Sequence, residues 1–306
     1  FGLIYYNNYM KELLFLLIIV YVLYLLTKPQ VQINNTPNHS DNRIKVWTYV
    51  PQESNKYRNN FRYPYNNYDY APTYIKLTIK SLIDNLDSNL YNIQVVDKDN
   101  IHSYLPDFPL DLNNENRYKE KDIMDLLGGM LLYKYGGLWL YPGTVTLKRN
   151  YNDLYLDLVN RDIVTFGSTN AFACDDRMPN NYIIGSKPNN PVIKQYIKRI
   201  SDLMMGKIES LHKHVDIDFN PLGESIELFN VKHKHYCCLS DGTYNIHGRK
   251  LHMEDYLGKT PINYSRKLMF ISFPYDQLDI ETDYRWFKFS TMEDLNGSNI
   301  NMIKYL

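Results

Sequence analysis

Apolar and polar positions follow two rhythms along most of this chain. IKVWTYV, residues 44–50, is rich in β-branched and aromatic side chains and predicts a strand. Pro72 then opens YIKLTIKSLIDNL, where Ile75, Ile79, Leu82, Ile83 and Leu86 recur at helical spacing. YNIQVVD, residues 91–97, predicts a second strand that ends in an acid. Between Glu120 and Tyr135 the apolar positions Ile123, Leu126, Leu127, Met130 and Leu131 predict a long helix, and Gly136-Gly137 stop it. LWL and TVTL follow as short strands, then a short helix near Leu154–Leu158, the strands DIVTFG and NNYIIGSKP, and an amphipathic helix from Pro191 to Met205. After Phe219 the pattern shortens into small strands and turns. The order β-α-β-α-β-β-α-β-β-α predicts an α/β domain built on an open twisted sheet with flanking helices, of the nucleotide-binding kind.

The N-terminus follows neither rhythm. Leu13 to Leu26 is an unbroken apolar run of 14 residues, flanked by Lys11-Glu12 and Thr27-Lys28. A membrane span usually needs about 17–25 residues, and Tyr5, Tyr6 and Tyr9 upstream extend the run with interfacial aromatics. From Met10 the stretch has the look of an uncleaved signal anchor, because TKPQVQINN after it offers no small-residue cleavage site. Residues 1–29 are therefore expected to form a membrane anchor helix, with a cleaved signal or a buried helix as the alternatives. Residues 30–43, QVQINNTPNHSDNR, are expected to form a polar linker, and residues 44–306 the folded domain. Sequons at Asn34, Asn38, Asn263 and Asn296 fit a single-pass protein whose C-terminal domain is lumenal.

Composition narrows the chemistry. Lys and Arg total 34 and Asp and Glu total 34, so the net charge of zero gives no basic footprint for nucleic acid. The three cysteines, Cys174, Cys237 and Cys238, are not a disulfide framework, which leaves the core to packing alone. Neither a phosphate-binding Gly-x-x-x-x-Gly-Lys-Ser/Thr loop nor a Gly-x-Ser-x-Gly elbow occurs. Two His-x-His pairs do occur, His212/His214 and His233/His235. On a strand such a pair puts both rings on one face, as a zinc site wants; the lysine between each pair fits an exposed polar segment as well.

IKVWTYV, IKSLIDNLDSNLYNIQVVDKDNIHSYLP, DIMDLLGGMLLYKYGGLWL and NNYIIGSKPNNPVIKQYIKRI occur in this order. Together they resemble the capsular-polysaccharide-synthesis and mannosyltransferase-like group of GT-A glycosyltransferases, the group with a DXD sugar-binding motif. The resemblance is clear from Ile44 to Leu203. Further on, DGTYNIHGRKLHMEDYL and PYDQLDIETDYRWFKFS resemble the variant of this group found in large DNA viruses and some algae. It implies a GT-A-type sheet, a nucleotide-sugar donor, and transfer of a hexose to a glycan or glycoprotein acceptor. The alternative from another class is a catalytically inactive glycan-binding or structural protein on the same fold.

In that group a helix acid and an arginine precede the YGG, and the next strand ends in an Asp that helps hold Mn²⁺ or Mg²⁺ against the diphosphate. Here Asp125 has the helix acid's position, Gly128 the arginine's and Tyr141 the strand acid's. A phenol is no ordinary ligand for a hard cation. Three readings stay open. Lys or Arg neutralises the diphosphate without a metal, carboxylates such as Asp175-Asp176 come from elsewhere, or the site binds sugar without turning it over. The resemblance makes Trp47, Asp125, Gly136, Gly137, Tyr141 and Gly143 donor-side candidates, and Asp175, Asp176 and Asn181 acceptor-side ones. Each has a plain structural reading too: Trp47 as core, Asp125 as a solvated helix residue, the paired glycines as a helix stop, Asn181 as a turn residue. Tyr284, Arg285 and Trp286 either close over a substrate or pack the C-terminus. No residue is assignable as catalytic base.

Overall fold

The computed structural model describes residues 42–51, 72–110, 112, 118–168, 178–206, 220–274, 277–280 and 282–305. The expected anchor, nearly all of the linker, and Asp175, Asp176, His212 and His214 lie outside the described residues. Among the described residues no helix is long and apolar enough to cross a membrane.

The strands β1 (Ile44–Tyr49), β2 (Tyr91–Val96), β3 (Gly137–Leu140), β5 (Ile163–Phe166), β6 (Asn180–Ser186) and β7 (His233–Tyr236) form one mixed sheet in the order β2-β1-β3-β6-β5-β7. β1 is parallel to β2 and β3, β6 runs antiparallel to β3 and β5, and β7 is parallel to β5. A separate ribbon pairs β4 (Val145–Thr146) with β8 (Phe270–Ile271). Among the described residues of the first two-thirds the helices are α1 (Thr73–Asn85), α2 (Ile101–Tyr104), α3 (Glu120–Tyr135), α4 (Asn152–Asn160) and α5 (Pro191–Met204). This is the expected α/β order with one addition, α2, whose four residues are too few to show a helical period.

Strand alternation divides the core in two. Val46, Leu138, Leu140, Val164 and Ile183 point to one face, where Leu82 and Leu86 of α1, Leu154 and Leu158 of α4 and Phe270 of β8 cover them. Trp47 and Trp139 point to the other. Trp47 is wholly buried between Tyr104 and Tyr135, and its indole donates to the Gly136 carbonyl at 2.9 Å. Trp139 lies against α3 at Gly128, where a Cβ would come within 2.6 Å of the indole. Gly137, at φ +105°, passes so close to β1 that a Cβ would overlap the carbonyl oxygen of Lys45.

The C-terminal third departs from the expected small strands and turns. It is mostly short helix: α6 (Pro221–Glu227), α7 (Met253–Leu257), α8 (Gln277–Ile280), α9 (Arg285–Phe289) and α10 (Met292–Ser298). Each spans two turns or fewer, so too few apolar positions repeat for the period to be legible. Within α9, Phe287 is the packing residue, set against Tyr74 and Phe273, while Trp286 is 46% exposed. The cysteines also correct the expectation of packing alone. Cys238 is disulfide-bonded, to a partner outside the described residues, and Cys237 carries a free thiol.

Replacing Gly137 by alanine should destabilise the protein by about 2–4 kcal/mol in urea unfolding, since β1's backbone has no rotamer with which to yield. Equal stability of the variant would show that β3 can shift away from Lys45 at little cost.

Candidate functional site

In open α/β sheets ligands bind beyond the carboxyl ends of the parallel strands, where the strand order reverses. Here β1 connects to β2 on one side and has β3 on the other, so the reversal falls between β1 and β3. Beyond β3 the chain makes a tight turn, Tyr141-Pro142-Gly143-Thr144. The Tyr141 carbonyl accepts from the Thr144 N–H at 3.1 Å and from its hydroxyl at 2.7 Å. Proline at the second position and Gly143 at φ +85° in the third are the residues a type II turn demands. Gly143 therefore shapes the turn.

Tyr141 is only 1% exposed. Its N–H donates to the Tyr182 carbonyl at 2.8 Å, and its ring lies 4.9 Å from that of Tyr182. Where the resemblance expects a metal-holding carboxylate, the strand end carries a packed phenol. Gly136 and Gly137 lie at the opposite end of β3, the amino-terminal edge, where they end α3 and admit β1. They are not near Tyr141, and Trp47 belongs to the core described above.

Asp125 and Asn181 do come together. α3 runs back to the start of β3, so its first half lies at the carboxyl edge. The head of the antiparallel β6 lies there too. Between Thr165 and Phe166 the β5–β6 register slips, so that Thr165 opposes Ile184 but Phe166 opposes Asn180. Such a bulge re-aims side chains. Asn181 turns to α3 and donates to Asp125 Oδ2 at 2.5 Å, while Tyr182 packs on the opposite face of the sheet. Lys121 Nζ, one turn back on α3, reaches the same oxygen at 3.0 Å. Asp125 is 3% exposed, and burial raises its carboxyl above the usual range, with Lys121 opposing. Asp125 Oδ1 and the Tyr196 hydroxyl are both buried here, and the phenol lies within hydrogen-bonding range of Asp125 and Asn181. Burial, and then the Asp125 charge, push the Tyr196 phenol well above its ordinary value. These groups line a pocket of about 120 Å³ between α3, α5 and the head of α6, with Asp122, Asn220 and Leu222. Gly128, where the resemblance expects an arginine, has no room for one, because Trp139's indole fills that space.

Two further clusters complete the edge. Asp241 is fully buried and accepts from Asn180 Nδ2 and from Thr243, at 3.1 Å from its N–H and 2.7 Å from its hydroxyl. Its own carbonyl accepts from Ser272 at 2.8 Å, so it pins the chain after β7 to the head of β6. Burial pushes its carboxyl up to about 6. His233 Nε2 and His235 Nδ1 share the hydroxyl of Thr165, at 2.7 and 3.0 Å. The pair lies on one face as the pattern expected. Among the described residues, though, no group of three or more His, Cys, Asp or Glu could hold a metal ion. The described residues thus do not fit Mn²⁺ or Mg²⁺ at the strand end: Tyr141 is a packed phenol, and Asp125 is already held by Lys121 and Asn181.

Tyr196, Lys121 and Asp241 escape a reading of the sequence alone. Tyr196 sits at a helical position that reads as core, and Asp241 lies in an irregular stretch with no motif. The one available signal was Asp125 itself, whose acid on an otherwise apolar helix face requires a partner.

The model of the family described as "Capsular polysaccharide synthesis protein" matches residues 7–210. A solved structure titled "PaToxG Glycosyltransferase" is similar at 14% identity with a TM-score of 0.33, covering 60% of this chain and 67% of that one. No curated protein matches the sequence.

Asp241 generates a pH prediction. Its carboxyl rises from an ordinary 3.8 to about 6 on folding, so the folded protein holds that proton more tightly. The associated stability is fully present below about pH 3.8 and is lost as pH rises through 6, at most about 3 kcal/mol. Urea unfolding from pH 4 to 7 should show Asp241→Asn losing less stability across this window than wild type. Parallel curves would show that Asp241 titrates normally.

Proposed function

This chain belongs to the capsular polysaccharide synthesis protein family, and on that premise we propose that it is a glycosyltransferase of GT-A type. It transfers a hexosyl group from a nucleotide-sugar to a glycan or glycoprotein acceptor. The bond from the anomeric carbon to the diphosphate breaks, a bond to an acceptor hydroxyl forms, and the nucleoside diphosphate leaves. One observation carries this reading: a pocket holding a buried carboxylate, Asp125, lies at the carboxyl edge of the sheet, beside the head of β6.

The diphosphate's charge is met by lysine or arginine rather than by a divalent cation. Lys119 at the head of α3 is placed at this edge, and the peptide dipoles there favour an anion as well. The apolar run Leu13–Leu26 anchors the protein to a membrane, with the folded domain on the lumenal side. The disulfide at Cys238 supports an oxidising compartment.

A second reading has its own support. Tyr141 is packed into the core and Trp139 occupies the arginine's space, which suits a protein that binds a glycan or nucleotide-sugar without turnover.

Full-length protein in detergent should be unfolded with and without nucleotide-sugars, each with and without Mn²⁺. A ligand at a hundred times its Kd that binds only the folded state should stabilise it by about 2.7 kcal/mol. Stabilisation indifferent to Mn²⁺, with release of nucleoside diphosphate on adding acceptor, is the expected result. Binding without release would favour the second reading, and no response to any donor would sink the first.

A further inference from the structure

We infer that Lys148, Arg149 and Arg266 form a second binding pocket, separate from the one at Asp125, that takes a phosphomonoester group. The inference goes beyond the glycosyl-transfer reading and does not depend on it.

Elsewhere in the fold cations meet acids: Lys80, Lys121, Lys198, Arg199 and Arg249 each reach a carboxylate. Where β4 runs into α4 they do not. Lys148, Arg149 and Arg266 line one cavity of about 450 Å³, and Asp153 is the one acid in its lining. Among the described residues none of these three cations is in an ion pair. Three cations against one acid leave two positive charges in excess, and an anion that enters relieves their repulsion. The backbone beneath them is cross-linked. Leu147 N–H donates to the Met269 carbonyl at 3.2 Å, and the Tyr151 hydroxyl lies 2.8 and 2.7 Å from the carbonyls of Leu147 and Met269. Arg149 Nη1 donates to the carbonyls of Lys267, at 3.1 Å, and Leu268. That fixes the guanidinium and leaves its Nε and Nη2 for a ligand.

The chemistry of the lining names the ligand class. Two guanidinium forks suit phosphate oxygens, and a phosphomonoester carries close to two negative charges at neutral pH, which matches the excess. A neutral sugar has no use for three cations, and a metal ion is repelled. The volume lies within the roughly 300–1,000 Å³ of ligand pockets, so the phosphate enters together with part of the molecule that bears it, against Leu147 and Leu268. That molecule is either a soluble phosphomonoester or a lipid headgroup ending in phosphate; both offer the same group. The cavity is not the Asp125 pocket. The two share no lining residue. Tyr151, next to Asn150 of the cavity, accepts at its carbonyl from the Tyr91 hydroxyl at 3.0 Å, and Tyr91 opens β2 at the amino-terminal edge of the sheet.

The test titrates full-length protein in detergent by calorimetry with glucose 6-phosphate, dihexanoyl phosphatidic acid and dihexanoyl phosphatidylglycerol. The variant is Lys148→Gln combined with Arg266→Gln. Both side chains are exposed, and the melting temperature without ligand checks that the variant folds. Wild type should bind at least one of the two phosphomonoesters, and the variant should bind it at least tenfold more weakly, the worth of one charge-assisted hydrogen bond or more. Tighter binding of phosphatidic acid identifies a lipid headgroup as the source, and tighter binding of glucose 6-phosphate a soluble one. The inference is overturned if wild type binds neither, if the variant binds as well as wild type, or if the singly charged diester phosphatidylglycerol binds as tightly as phosphatidic acid. Any nucleotide-sugar that wild type accepts should bind the variant equally; a parallel loss would make the cavity part of the donor site and overturn the inference as well. Absence of donor binding alone sinks glycosyl transfer and leaves this pocket standing.

Discussion

Everything at the carboxyl edge depends on how β3 is seated beside β1. The Trp47 indole donates to the Gly136 carbonyl at 2.9 Å, and Gly137 lies against the Lys45 carbonyl without a side chain to hold it off. Both contacts are at the amino-terminal edge, far from the candidate site. They nevertheless fix the sheet on which it stands, because β3 beside β1 is what reverses the strand order and β6 pairs on β3's other side. The YGG stretch is thus a structural element, and the candidate site lies at the opposite edge of the sheet.

The departures from the charged pattern that the resemblance implied are physically linked to the packing. A tryptophan at position 139 needs the volume that a side chain at 128 would occupy, and Gly128 yields it. Tyr141 likewise is not a carboxylate swapped in place; its ring has joined the core against Tyr182. Of the three charged positions that the resemblance implied, Asp125 alone is charged, and Lys121, Asn181 and Tyr196 surround it. A buried carboxylate that kept no partner would be expensive. Lys121 and Asn181 hold one oxygen of Asp125, and the Tyr196 phenol lies beside the carboxylate.

Periodicity and propensity alone determine a good part of this protein. The apolar spacing in α1, α3 and α5 and the β-branched runs of β1, β2, β5 and β6 make the α/β order legible, since each element buries one face and writes that face into its own residues. Gly136-Gly137 as a helix stop and Pro142-Gly143 as a turn are equally local, being demands of backbone dihedrals. The His233/His235 pair on one face of β7 follows from strand alternation in the same way. Tertiary structure decided the rest, because it depends on which elements meet. Asn181 reaches Asp125 only through a slip of register between β5 and β6. Tyr196 reaches the same pocket only because α5 packs on α3 at Gly129. Asp241 finds Asn180 across 61 residues of chain. No local window contains those pairings, and the contacts that complete a buried polar site are made by residues that look like core or loop until the chain has folded.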